Sequence, residues 1–190
     1  MITSLAVIAT LVTLAGSPAA SRLAVIRAAP DCALDSAAGG AVTLHQFRGK
    51  AIFVSFIFTT CSGSCPATTH RMAKLQEAIA HSPDLKDKVQ FISITLDPER
   101  DTPGRLRAYM QLYDITTPNW CFLTGPPATV NKTLAAWGMW ARPAANGQLD
   151  HPSRVFLVDP HGRVREIYNL DFLRIPWAVE DARLVLGEKE

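Results

Sequence analysis

Residues 51–59 read Ala-Ile-Phe-Val-Ser-Phe-Ile-Phe-Thr, an almost continuous run of β-branched and aromatic side chains. A strand with one wet face alternates apolar and polar positions. This run does not, so both of its faces are buried, which predicts a central strand of a parallel or mixed sheet. Pro66 suits the first turn of a helix, where a missing N–H costs nothing. Met72, Leu75, Ala78 and Ile79 then recur at helical spacing to about His81. Residues 89–97 alternate and predict a second strand. Residues 98–113 open with acidic and turn-forming residues, then become helical. Residues 120–125 are a short strand stopped by Gly125, and 126–139 a helix opened by prolines. Residues 153–168 predict two strands joined by Asp159-Pro160-His161-Gly162, a strong hairpin signal. A final amphipathic helix runs from Pro176. Ahead of this core, 22–31 reads as a linker. Residues 42–50 read as a short strand-like piece between Gly39-Gly40 and a Gly-Lys turn.

The order of these elements alternates strand and helix, which predicts an α/β sheet with helices on both faces. Chemistry in such sheets gathers beyond the carboxyl ends of the strands. The cysteines at 61 and 65 fall there, just past the 51–59 strand.

Length and charge narrow the class. A chain of 190 residues, 48% hydrophobic, buries on the order of 70% of its unfolded surface and needs no staple to hold one core. A formal net charge of +2 with no basic stripe argues against a nucleic-acid partner. The N-terminus departs from this globular pattern. Residues 2–16 are uncharged and mostly aliphatic, and Ser17-Pro18-Ala19-Ala20 supplies small residues. Residues 1–21 therefore predict export, as a signal peptide cut after Ala19 or Ala20 or as an uncleaved membrane anchor; a buried helix is the alternative. The basic n-region usual in a signal peptide is missing. Export places the thiols in an oxidising compartment, where a disulfide persists. Residues 22–190 form the single domain.

Cys61-Ser62-Gly63-Ser64-Cys65-Pro66 holds two of the four cysteines. Pro66 puts Cys65 at a helix start, whose free N–H groups and partial positive charge favour thiolate over thiol. Thiolate both attacks disulfides and binds metals. Three intervening residues, against two in a thioredoxin-type pair, widen the loop and leave room for an ion. The spacing alone leaves three readings open: a redox couple, half of a metal site, or two core thiols. A metal site needs more ligands. Of the five histidines, His45, His70, His81 and His161 lie in turns or on a helix face and read as solvated. His151 sits on the loop before a strand, beside Asp150, where a ligand can hang over a sheet edge. Two thiolates and one imidazole make a soft set of low coordination. It suits Cu(I) and tolerates Cu(II) with a further weak ligand, whereas a structural zinc site wants a fourth protein ligand.

The chain resembles the SCO/SenC proteins, thioredoxin-like copper chaperones of cytochrome c oxidase assembly. The resemblance rests on Phe47-Arg48-Gly49-Lys50, Phe58-Thr59-Thr60-Cys61-x-x-x-Cys65-Pro66, residues Leu96 to Pro103 (Leu-Asp-Pro-Glu-Arg-Asp-Thr-Pro), Leu123-Thr124-Gly125, Asp150-His151 and Leu157-Val158-Asp159-Pro160-x-Gly162, in that order over about residues 30–188. It implies a thioredoxin-like fold, a central mixed sheet with flanking helices. It implies that Cys61, Cys65 and His151 bind copper as Cu(I) or Cu(II), and that the two cysteines cycle between dithiol and disulfide. The implied partners are a copper-receiving cytochrome c oxidase subunit and a thiol reductant such as a thioredoxin-like protein. The implied place is the periplasm, free or anchored in the inner membrane.

Some positions depart from the family pattern. Ser62 and Gly63 stand where Pro and Asp are frequent, which makes the loop more flexible and less acidic. Cys32 stands where an aromatic residue is frequent and reads as a small apolar substitute. Cys121, beside Trp120, reads as buried. Asp101 reads as capping the helix from Thr102 and ordering the loop around it, and Asp97 as a tuner of the site. Besides copper delivery, two other activities compete: a thiol-disulfide oxidoreductase that reduces the oxidase's copper-ligand cysteines, and a thioredoxin-like peroxidase in which Thr59 assists the active thiol.

Overall fold

A computed structural model describes residues 23–31, 33–116 and 118–188. In chain order the elements are β1 (Arg27–Ala28), β2 (Leu34–Ser36), β3 (Ala41–Val42), a 3₁₀ turn (Leu44–Phe47), β4 (Ala51–Ile57), α1 (Ser64–Ala80), β5 (Val89–Thr95), α2 (Pro103–Leu112), β6 (Trp120–Thr124), α3 (Pro127–Ala136), β7 (Arg142–Pro143), β8 (Leu149–Asp150), β9 (Val155–Val158), β10 (Arg163–Tyr168) and α4 (Ile175–Gly187). One sheet carries strands in the order β1-β10-β9-β4-β5-β6-β2-β3, and β7 pairs with β8 apart from it. β4, β5 and β6 are parallel, with the helices α1 and α2 as the crossovers that parallel neighbours need. β9 joins β4 antiparallel, with Ile52 opposite Val158 and Ser55 opposite Val155. The sheet is mixed and flanked by helices, the thioredoxin-like α/β architecture expected from the resemblance.

The unbroken apolar run explains why β4 is central. All seven of its residues are buried. Alternate side chains serve opposite faces. Phe56 packs edge-on against Trp137, at the end of α3, and against Phe156. Phe53 stacks on Phe91 and approaches Tyr168, whose hydroxyl donates to Asp181 of α4 at 2.7 Å. α1 and α2 share the Phe53 face, joined by the Thr69 and Tyr109 hydroxyls at 2.9 Å. Each fully buried Phe contributes roughly 1.5–3 kcal/mol, so both faces of β4 anchor the loop that follows it.

The 159–162 hairpin forms as predicted between β9 and β10. Gly162 has φ +74°, and a Cβ there would collide with the Arg48 guanidinium. The left-handed backbone is what favours glycine, since the flexible Arg48 side chain can move aside.

Several segments differ from the sequence reading. Residues 22–31 contain a strand, not only a linker: Arg27 and Ala28 pair with Val164 and Arg163. So short a strand has no readable period. Within 42–50 the strand ends at Val42 and a 3₁₀ turn follows at Leu44–Phe47, held by a reciprocal Thr43–Gln46 capping box. Cys121 is half-buried, with Gln90 Nε2 at 3.5 Å from its sulfur. Cys32 and the proposed export segment, 1–21, lie outside the described residues. Among the described residues, no helix is long and apolar enough to cross a membrane.

Candidate metal centre

Three elements converge at the carboxyl end of β4. Cys61 lies on the loop leaving that strand, and Cys65 is the second residue of α1. His151 follows β8 and precedes β9, β4's antiparallel neighbour. The donor atoms of Cys61, Cys65 and His151 all lie within 4.8 Å of one another. Cys65 Sγ is 3.6 Å from His151 Nε2. Ligand bonds near 2.0–2.3 Å put the donors of one shared ion about 4 Å apart, so the three fit around a single ion. Both cysteines are free thiols here. Cys65 is buried and Cys61 half-buried, so Cys61 is the sulfur nearer to solvent.

The imidazole is oriented from behind. Nδ1 lies 3.0 Å from the Pro152 carbonyl, which can only accept. Nδ1 therefore carries a proton, and Nε2 is the ring nitrogen that faces the sulfurs. Ligating histidines are commonly fixed in this way. Phe58 meets the ring edge-on, with centroids 5.6 Å apart. Asp150, beside His151, is exposed and solvated, and it is the backbone of Pro152 that orients the ring.

The two thiols are electrostatically unequal. A hydrogen bond from the Cys65 thiol, helped by His151 and the Gly63 N–H, lowers the Cys61 pKa to about 4 against the opposing effect of burial. The Gly63 N–H donates to Cys61 Sγ at 3.3 Å. Cys65 is raised, first by bonding to Cys61 and then by burial. The bond to Cys61 also raises His151. One negative charge is therefore held at Cys61, the more accessible sulfur.

Of the two roles read for Asp101, capping and loop order, the structure gives the second. Thr102 caps α2, its hydroxyl accepting from the Arg105 N–H at 3.3 Å. Asp101 is fully buried. It accepts from the Thr59 hydroxyl at 2.6 Å, the Thr59 N–H at 3.2 Å and the Thr95 hydroxyl at 2.6 Å. It thus ties the residue two before Cys61 to the end of β5. Committing the Thr59 hydroxyl to Asp101 leaves the peroxidase reading without its assisting group. Asp97 ion-pairs with Arg100, whose Nη1 donates to the Gly147 carbonyl at 2.8 Å. Asp97 therefore acts on the loop before His151, not on the sulfurs. Gln148, which the sequence did not mark, donates from Nε2 to the Thr60 carbonyl and accepts the Ser62 N–H at Oε1, both at 3.0 Å. Its partners are backbone atoms, which leave no side-chain pattern to read. His45, His70 and His81 are exposed, and His161 is half-buried in its hairpin turn, as solvated residues should be.

Comparison with known proteins agrees with this geometry. The chain is 34% identical over 135 residues to the SCO1 protein homolog of Bacillus subtilis, covering 69% of this chain and 68% of that one. A SCO1/SenC family lipoprotein from Bacillus anthracis superposes with a TM-score of 0.79 at 28% identity, over 87% of this chain and 99% of that one. Bradyrhizobium japonicum ScoI, solved with copper bound, gives 0.71 at 28% identity, over 83% and 99%. BsSco, described with a disulfide switch and as a member of the Sco family of cytochrome c oxidase assembly proteins, gives 0.74 at 26% identity, over 90% and 98%. The family profile described as SCO1/SenC matches residues 26–179, and this chain belongs to the SCO1/SenC family.

Proposed function

We propose that this protein takes up one copper ion through Cys61 Sγ, Cys65 Sγ and His151 Nε2 and delivers it to the copper site of a cytochrome c oxidase subunit. The observation that carries the reading is the convergence of two sulfurs and one imidazole nitrogen within 4.8 Å. Two thiolates and an imidazole match the softness of Cu(I), and a relative of this fold has been solved with copper bound. Copper is cargo here, so the site must hold it and still let it go. Buried Cys65 serves as the anchor. Half-buried Cys61 is the sulfur an incoming ligand reaches first, so exchange starts there. The apolar N-terminal segment, with a lipoprotein among the relatives, supports export and a domain working at the outer face of a membrane, with residues 1–21 as signal or anchor.

A second reading uses the same pair as a reductant. The Cys61 thiolate attacks a disulfide of the oxidase subunit and forms a mixed disulfide. Cys65 then loses its proton and displaces the partner's remaining sulfur. The partner leaves as a dithiol with two electrons gained, and Cys61–Cys65 is left oxidised for a thioredoxin-like reductant to restore. The unequal thiols, one ionised and reachable, one buried and protonated, favour this reading.

Copper counting on the reduced, metal-free protein decides between them, beside Cys61→Ser and His151→Ala. One copper per chain, lost or weakened in both variants, supports delivery. No copper, together with disulfide exchange that survives His151→Ala, supports reduction alone.

A further inference from the structure

Gln148 is three residues before His151, and its amide bonds on either side of Cys61. Oε1 accepts the Ser62 N–H and Nε2 donates to the Thr60 carbonyl, each at 3.0 Å. The amide orientation is unambiguous, because one partner can only donate and the other only accept. The tip that presents Gln148 is itself built for the task. Asn146 at φ 60° and Gly147 at φ +70° turn the chain between β7 and β8. The turn sends the Gly147 carbonyl to Arg100, which Asp97 holds in turn. Ala144 N donates to the Gln148 carbonyl at 2.9 Å and closes the tip. The arm carrying His151 is thus fastened to the cysteine loop at Thr60 and Ser62 and, through Arg100, to the loop between β5 and α2.

We propose that Gln148 is a positioning residue that fastens the His151 arm to the cysteine loop, so that the three donor atoms stand together before copper arrives and their separation limits how fast copper leaves. The proposal rests on the copper-binding reading of the site. It follows from where the ligands sit. Two come from the β4–α1 loop and one from a separate arm, and the loop has Gly63 at its centre and no stiffening proline before Cys65. Without a tie, ordering loop and arm against each other would be charged to each binding event. Groups that orient metal ligands from outside typically account for about 10–100-fold in affinity. The side chain has to be a glutamine. Leucine fills the space without bonding, and glutamate keeps the acceptor for Ser62 N–H while facing the Thr60 carbonyl with a second acceptor.

The test uses the full chain with Gln148→Leu and Gln148→Glu, loaded with Cu(I) and mixed with excess competing Cu(I) chelator. Gln148→Leu is expected to release copper about 10-fold faster, with Gln148→Glu between it and wild type and the melting temperature unchanged in both. In the copper-free proteins, the Ser62 amide should exchange hydrogen faster and Cys61 should alkylate at an altered rate in Gln148→Leu. Wild-type release rates and unchanged Ser62 exchange in both variants would overturn the proposal. So would faster release that merely tracks a lowered melting temperature. If wild type binds no copper, the delivery reading has failed separately, and the copper-free exchange and alkylation rates decide the role of Gln148.

Discussion

The carboxylate of Asp101 grips Thr59 by both its hydroxyl, at 2.6 Å, and its backbone N–H, at 3.2 Å. The same group accepts the Thr95 hydroxyl, so the ends of β4 and β5 share one buried acid. Asp101→Ala strips three donors of their acceptor. At about 1–3 kcal/mol for each buried group left unpaired, the loss is expected to total about 3 kcal/mol or more, measured by chemical denaturation. A loss under about 1 kcal/mol would mean that water replaces the carboxylate.

Burial also raises the Asp101 pKa, with Thr59 and Thr95 only partly offsetting it. A raised folded pKa favours the protonated state on folding. The stability this supplies is complete below the unfolded carboxylate pKa and fades as pH rises through the folded value. Wild type should therefore lose stability relative to Asp101→Asn as pH climbs from about 4 towards neutrality. Parallel stability curves for the two proteins would show that Asp101 ionises normally.

Cys61, lowered to about 4, should remain a thiolate through the physiological range. An ordinary thiol, with a pKa of about 8.5, loses roughly tenfold in alkylation rate for each pH unit below it. Iodoacetamide labelling of Cys61 in the metal-free protein, followed by mass spectrometry, is expected to stay nearly constant from pH 8 down to about 5. Cys65, raised and buried, should resist labelling over the same range. A tenfold fall per unit at Cys61 would refute the asymmetry.

Removing a ligand should cost more than disturbing its support. His151→Ala leaves two sulfurs, and Cys61→Ser leaves one sulfur and one nitrogen. Each is expected to weaken Cu(I) binding by more than the about 10–100-fold that outer partners contribute, with Cys61→Ser the more severe. Competition titration against a Cu(I) chelator measures both.

Asp159 lies away from the site and bears on stability alone. It is buried and accepts from the backbone of His161 and Arg163 and from the side chains of Arg163 and Arg165. Arg165 is itself buried and also pairs with Glu188. Asp159→Ala leaves a buried guanidinium short of a partner, expected to cost about 3–5 kcal/mol, while copper stoichiometry in the surviving folded protein stays at wild type. A thermal melt and a copper count check the two halves.

The strands and helices that bury a continuous core were readable because burial imposes a period. β4 showed itself by lacking alternation, and the β9–β10 hairpin by its turn residues. Cys61 and Cys65 were visible as a pair, but His151 had only its place before a strand until the family resemblance singled it out. What escaped reading depended on distant partners. Asp101 and Thr102 are both cap-forming types. Local chemistry does not reveal that Thr59 and Thr95, from two other strand ends, claim the first and leave the cap to the second. Gln148 bonds only to backbone atoms, and β1 is two residues long, so neither leaves a periodic trace.

The pairing of β4 with β9 has a metrological side. The sulfurs hang from the far end of one strand and the imidazole from the approach to the other, and Ser55 opposite Val155 sets their offset. A slip of one residue along that ladder would displace His151 by about 3.3 Å and move every β9 side chain to the opposite face of the sheet. The sheet is in this sense a ruler graduated in single residues, and the gap between donors is read off it. A mispaired chain would keep its secondary structure and lose its metal, so copper uptake reports the correctness of a strand alignment that circular dichroism does not see.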